Sequence, residues 1–168
     1  MATNETISEE ELQLVAFNVG SEEFGVKIMN VQEIIRMTNV TRIPQAPDYI
    51  RGIINLRGRI IVVLNLNKIM GMECREQDES TRIIVTNIGD NIMGFVVDSV
   101  SEVIRLSQKN VEPAPPVIAG RIGTEYVLGV GKLDNRLLIL LDLDNVLGAK
   151  QLQCIKNLSK ENEEAVAS

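Results

Sequence analysis

Short apolar runs separated by polar turn residues recur along this chain and predict a series of β-strands. The runs that we expect to form strands are 12–19, 24–28, 53–56, 59–66, 82–88, 92–97, 126–133 and 136–142. Residues typical of tight hairpins separate several of them, including Arg57-Gly58 and Asp134-Asn135. The run IIVVLNL at 60–66 shows no polar alternation, which predicts a strand buried on both faces between two halves of the molecule.

Two parts of the sequence resemble each other, which predicts a duplicated architecture. Residues 14–36 align without gaps to 83–105, and residues 55–71 align to 132–148. The identical pairs include Gly25/Gly94, Glu33/Glu102 and Arg59/Arg136. The predicted organisation is a flexible N-terminal tail (1–11), a first half (12–71), a polar linker (73–80), a second half (80–148) and a helical or disordered C-terminal tail (149–168).

Each half supplies about five strands and one short helix. Five short strands do not cover both faces of an open sheet, so we expect each half to curl into a small barrel. The predicted fold class is therefore mainly β, with two five-stranded barrels packed side by side and short helices between strands.

Composition excludes several classes of function. The chain of 168 residues has no histidine, which removes the commonest general base and the most frequent transition-metal ligand. With 17 basic and 23 acidic residues and few aromatic side chains, it is poorly suited to nucleic acid. The N-terminal residues lack a basic region and an apolar region, so we expect a cytoplasmic protein that is neither secreted nor inserted in a membrane.

Few residues suggest chemistry, and each has a structural alternative. Asp142 and Asp144 resemble a carboxylate pair, but their repeat partners are Asn65 and Asn67, so we favour capping of backbone amides. The stretch 129–132, GVGK, lacks the rest of a phosphate loop and is better explained as a strand that approaches a neighbouring backbone. We predict no catalytic residue, no metal and no cofactor.

Five segments of the chain closely resemble the CheW-like domain family of bacterial chemotaxis coupling proteins. They are NVQEII (30–35), TRIPQAPDYIRGIINLRGRIIVVLNL (41–66), GFVVDSVSEVI (94–104), VEPAPPVI (111–118) and LGVGKLDNRLLILLDLDNVL (128–147). The resemblance covers about residues 12–148. The domain also occurs as the regulatory domain of the histidine kinase CheA, but the length of this chain resembles the stand-alone coupling proteins.

This resemblance implies two five-stranded Src-homology-3-like barrels around a shared core. Family members are adaptors without catalytic activity that bridge the cytoplasmic tips of chemoreceptors to CheA, so recruitment to membrane-associated receptor arrays is expected. The alternative is a CheW-like regulatory scaffold in a receptor-kinase pathway unrelated to motility. Nucleic acid and direct membrane insertion are not expected.

The resemblance also implies two sets of contact residues. Receptor binding is expected in the groove between the barrels, at Val31, Glu33, Arg57, Gly52, Gly58, Met93, Gly94 and Val100. Kinase binding is expected at the loop that contains Glu112 and Val117. Many family members carry Pro and Asp in place of Val63 and Asn65, substitutions that a strand should tolerate.

Overall fold

The computed structural model describes residues 11–72, 76–88, 91–113, 127–147, 154–155 and 157, and the chain is mainly β as predicted. Its strands are β1 (Glu11–Val19), β2 (Glu22–Lys27), β3 (Val31–Arg36), β4 (Ile50–Leu56), β5 (Arg59–Asn65), β6 (Arg82–Ile88), β7 (Asn91–Val97), β8 (Ser99–Ser107), β9 (Val111–Glu112), β10 (Val127–Lys132) and β11 (Leu137–Leu141). One short helix, α1 (Leu66–Ile69), follows β5, and 3-10 turns occupy Ile28–Asn30 and Gln108–Asn110.

The strands form two sheets, and each sheet takes strands from both repeats. One sheet has the order β8-β1-β2-β11-β10-β9, and the other has the order β3-β6-β7-β5-β4. Hairpin β1-β2 belongs to the first repeat but joins strands of the second, because β2 pairs in parallel with β11. Hairpin β6-β7 makes the reciprocal exchange through the parallel pair β5-β7.

This exchange differs from our expectation that each contiguous half forms its own barrel. The half 12–71 supplies five strands as expected and the half 80–148 supplies six, and their first hairpins are exchanged between the two sheets. The similarity of the repeats does not show whether the hairpins stay in their own half or are exchanged. In both arrangements each hairpin pairs with strands that have the same apolar pattern. The N-terminal tail and most of the C-terminal tail lie outside the described residues, apart from Glu11, which begins β1.

The central strands bury both faces, one in each of two different cores. In β5, Val62 and Leu64 enter a large shared core between the sheets, whereas Ile61 and Val63 enter the smaller core of their own sheet. Strand β1 divides its residues in the same way between the shared core and the core of the other sheet. The prediction that the unbroken apolar run of β5 is buried on both faces is confirmed.

Strands β3 and β8 do not appear among the predicted apolar runs. Both lie at sheet edges, and their exposed positions carry charged residues such as Glu102 and Arg105. An edge strand needs only one buried face, so its sequence carries less apolar signal than that of a central strand. These strands nevertheless hold three of the eight residues expected to bind the receptor.

Candidate partner-binding surface

Arg57 is held in position by a tight turn between β4 and β5. Both central residues of the turn have positive φ, +52° for Arg57 and +87° for Gly58, which is the geometry of a type I′ hairpin. The side-chain oxygen Oδ1 of Asn55 accepts a hydrogen bond of 2.8 Å from the backbone N–H of Gly58. The sequence prediction of a hairpin at Arg57-Gly58 is therefore confirmed.

Arg57 forms a two-pronged ion pair with Glu33 on the edge strand β3. Its Nη1 donates to Oε1 of Glu33 at 3.1 Å, and its Nη2 donates to Oε2. The hydrogen bond from Arg57 lowers the pKa of the Glu33 carboxyl, and the carboxylate raises the pKa of Arg57 in return. Because the Arg57 side chain is 71% exposed, the pair orients two charges at the surface and contributes little to stability.

Two valines from opposite sheets lie beside the shared core. Val31 begins β3 and Val100 lies in β8, and both are half-buried against the same apolar cluster. They are equivalent positions in the two repeats. With Glu33 and Arg57, they define what we call the inter-barrel surface.

Three of the expected receptor residues are buried. Met93 is fully buried in the shared core, so its side chain is not available to a partner. Gly52 and Gly94 are also buried, and a side chain at Gly94 would place its Cβ 2.6 Å from the Cγ2 of Ile83. Both glycines allow close packing at their positions, whereas Gly58 is exposed in the turn that holds Arg57.

Arg136 of the second repeat forms ion pairs that the sequence comparison did not predict. Arg136, at the turn before β11, lies 3.0 Å from Glu23 and 3.8 Å from Glu102, the repeat equivalent of Glu33. The alignment of the two repeats pairs Arg57 with Asp134, a residue of opposite charge. Arg136 is the equivalent of Arg59 in the alignment, but its ion pair with Glu102 corresponds to the pair of Arg57 with Glu33.

Of the two acidic residues, Asp142 binds a backbone amide as predicted. Oδ1 of Asp142 accepts a hydrogen bond from the N–H of Asp144 at 3.1 Å. The same prediction is wrong for Asn65, which caps no backbone amide of α1; its Oδ1 instead accepts from Arg51, and its Nδ2 donates to the Asp48 carbonyl. Within the described part of the chain, no group of acidic or cysteine residues could hold a metal ion.

The stretch 129–132 is part of strand β10, as the structural alternative predicted. A side chain at Gly129 would place its Cβ 2.6 Å from the backbone oxygen of Glu112, which lies on the neighbouring strand β9. Gly129 also has φ of +157°, at a point where the pairing of β10 with β11 shifts by one residue. The glycine is therefore required for close approach of two strands and has no role in phosphate binding.

The expected kinase contact lies partly outside the described residues. Glu112 is exposed on β9, where its Oε1 lies 2.8 Å from Nζ of Lys132. Val117 lies outside the described residues. Among the helices that are described, none is long and apolar enough to cross a membrane.

Comparison with known proteins identifies the family to which these features belong. The family model "CheW-like domain" matches residues 13–151. The chain belongs to the CheW-like domain family. It is 39% identical to the chemotaxis protein CheW of Klebsiella aerogenes over 94% of this chain and 93% of that one. It is 36% identical to the chemotaxis protein CheW of Treponema pallidum, over 90% and 91% of the two chains.

A solved structure agrees with the fold of this CheW-like chain. The scaffolding protein TtCheW from Thermoanaerobacter tengcongensis matches with a TM-score of 0.76 and 36% identity, over 83% of this chain and 96% of that one. The predicted family, mainly β fold and role as a non-catalytic adaptor in chemotaxis signalling are confirmed by these relatives.

Proposed function

We propose that this protein couples the cytoplasmic tips of chemoreceptors to the histidine kinase CheA, and that the receptor docks on the inter-barrel surface. Membership of the CheW-like family supports the coupling role. The observation that supports the docking surface is the oriented Glu33–Arg57 pair beside the half-buried Val31. The named chemotaxis relatives favour this function over a scaffold unrelated to motility.

The chemistry of the inter-barrel surface suits a helical hairpin. Val31 and Val100 offer apolar area that a helix can bury with its own apolar stripe. Glu33 of the exposed ion pair lies two residues from Val31 on β3, and exposed charges of this kind contribute orientation and partner choice more than affinity. We infer that the valines supply the burial and Arg57 sets the position of the helix along the surface.

The kinase contact is proposed to lie elsewhere, at Glu112 on β9 and at Val117 in the segment that follows it. The separation of the two contacts would let one adaptor hold a receptor and CheA together. Recruitment to membrane-associated arrays would then follow from receptor binding, without membrane insertion of the adaptor itself.

Two substitutions test the receptor surface directly. Val31→Asp places an unpaired carboxylate where the receptor would exclude water, so we expect binding of a receptor cytoplasmic fragment to weaken by about tenfold or more. Arg57→Ala removes an exposed charge and should weaken binding by roughly threefold. Lys109→Ala removes an exposed charge at the 3-10 turn and serves as the matched control, with unchanged affinity expected.

Affinity is measured by isothermal titration, and circular dichroism establishes that each variant is folded. Binding to CheA should be retained in all three variants. If folded Val31→Asp and Arg57→Ala proteins bind the receptor fragment as wild type does, the inter-barrel surface is not the receptor site.

A further inference from the structure

A groove with a positive lining lies on the opposite end of β4 from Arg57, in a protein whose formal net charge is -6. Its volume is about 610 Å³, and it lies between the segment 42–51 and the end of β5 with α1. Arg42, Arg51 and Lys68 line it together with one carboxylate, Asp48. Three cations and one anion leave this groove with a formal charge of +2, and we call it the basic groove.

The cations of the basic groove are not neutralised within the described structure. The guanidinium of Arg51 is held by two neutral amide oxygens, from Asn65 at 3.3 Å and Gln77 at 2.7 Å. Among the described residues, no carboxylate forms an ion pair with Arg42, Arg51 or Lys68. A positioned guanidinium without a carboxylate partner is well prepared to bind one from elsewhere.

The lining of the basic groove also includes apolar side chains. Ile43, Ala46, Pro47 and Ile50 line the same space as the cations. An occupant that matches both features has carboxylates next to small apolar residues. The last part of this chain, LSKENEEAVAS at 158–168, has that composition, with three glutamates and one lysine followed by AVA.

Cys154, four residues before the segment 158–168, interacts with a residue adjacent to the lining of the basic groove. Cys154 interacts with the hydroxyl of Tyr49 and packs with it against the shared core, and burial together with Cys154 raises the pKa of Tyr49 to about 12. Tyr49 lies between Asp48 and Ile50, which both line the groove. From Asn157, seven residues reach Glu164, and an extended chain of that length spans about 24 Å.

We propose that the acidic segment 158–168 binds in the basic groove of the same chain. The formal charges are complementary, since three glutamates and one lysine give the segment a charge of -2 against +2 in the groove. Attachment at Asn157 raises the effective concentration of the segment to the millimolar range, so even weak contacts would keep it bound. A bound segment shields the groove from acidic segments of other proteins, and rising salt weakens this shielding.

The test uses the full chain in four forms, each examined by backbone amide NMR. They are the wild type, a groove variant Arg42→Gln/Lys68→Gln, a segment variant Glu161→Gln/Glu163→Gln/Glu164→Gln and a control variant Arg59→Gln/Lys109→Gln. The control removes the same charge from exposed positions outside the groove. Arg51 is left unchanged because its hydrogen bonds to Asn65 and Gln77 connect β4 to other segments of the chain. A synthetic peptide of residues 158–168 supplies the signals of the unbound segment.

In the wild type and the control variant, we expect the signals of 158–168 to differ from those of the free peptide. In the groove variant they should coincide with the peptide signals, and in the segment variant the signals of residues 42–51 should shift. High salt should move the wild-type signals of residues 158–168 towards those of the free peptide.

Three results would overturn the proposal. The first is a wild-type spectrum in which 158–168 already matches the free peptide. The second is a groove variant whose segment signals are unchanged from wild type. The third is a set of segment signals that depends on protein concentration, which would assign the groove to the segment of a second copy. None of these measurements involves Val31, Glu33 or Arg57, so the outcome is independent of the receptor-binding tests.

Discussion

At the scale of single residues, Thr86 has a buried hydroxyl that lowers the stability of the fold. It is completely buried in β6, and its hydroxyl has no hydrogen-bond partner in the described structure. In the sheet it pairs with Val31 on one side and Met93 on the other. Its equivalent in the first repeat is Phe17, which stacks on Phe24 with ring centroids 5.8 Å apart. The two repeats therefore pack the shared core with different chemistry at matched positions.

Thr86→Val should stabilise the protein. Valine keeps the shape of threonine and removes a buried hydroxyl that bonds to nothing, which we expect to raise the free energy of unfolding by about 1 kcal/mol. Thr81→Val is the matched control, because the hydroxyl of Thr81 accepts a hydrogen bond from the N–H of Asp78 at 2.9 Å. Urea unfolding should show opposite signs for the two variants. Destabilisation by both would mean that Thr86 has a polar partner after all.

The pKa of Glu33 tests whether its ion pair with Arg57 persists in solution. Arg57 lowers the pKa of Glu33, so the contribution of the pair is present above the ordinary pKa of a glutamate and is lost as the pH falls through the lowered value. In Arg57→Ala, we expect the pKa of Glu33 to rise towards its ordinary value, as measured by carbon NMR of the carboxyl group. The Lys109→Ala control should leave it unchanged. An unchanged pKa in Arg57→Ala would show that the ion pair does not persist in solution.

At the scale of elements, matched bulges shape the strands that lead to both hairpin turns. The pairing of β4 with β5 shifts by one residue at Gly52, and that of β10 with β11 shifts at its repeat equivalent Gly129. At Gly52, φ is +150° and an added Cβ would lie 2.2 Å from the backbone oxygen of Thr41. A bulge of this kind bends a strand and increases its twist, which helps a short sheet to curl.

Gly52→Ala should destabilise the protein much more than Gly58→Ala. The clash at position 52 is with backbone, which has no side-chain rotation to relieve it, so we expect a loss of roughly 3 kcal/mol or more. At Gly58, no atom lies within 4 Å of an added Cβ, and only the positive φ costs about 1 kcal/mol. Urea unfolding of both variants tests the difference. Equal losses would show that the approach to Thr41 relaxes at little cost.

At the scale of the whole molecule, the exchange of hairpins ties the two sheets into one folding unit. Hairpin β1-β2 completes the sheet that contains β8, β10 and β11, while hairpin β6-β7 completes the other sheet. The shared core takes residues from both sheets, including Phe24 and Phe95. Neither repeat contains all the strands of either sheet.

Separate repeats should therefore not fold as monomers. We expect a fragment of residues 11–76 to lack a cooperative unfolding transition or to dimerise by exchanging its first hairpin, because β2 has lost its partner β11. Circular dichroism and size-exclusion chromatography test this expectation against the full chain, which should unfold in a single transition. Cooperative unfolding of a monomeric fragment would contradict the importance of the exchange.

The sequence alone determined most of the local elements, the duplication and the family. Hairpin residues such as Arg57-Gly58 and the unbroken apolar run of β5 carry signals that depend on neighbours close along the chain. The tertiary structure decided which hairpin joins which sheet, because both repeats have the same strand pattern and either assignment satisfies it. It also decided that Met93 is buried while Val31 and Glu33 reach the surface, since the exposure of a residue depends on strands distant in sequence. Edge strands β3 and β8 escaped prediction for the same physical reason, because only the rest of the fold buries their single apolar face.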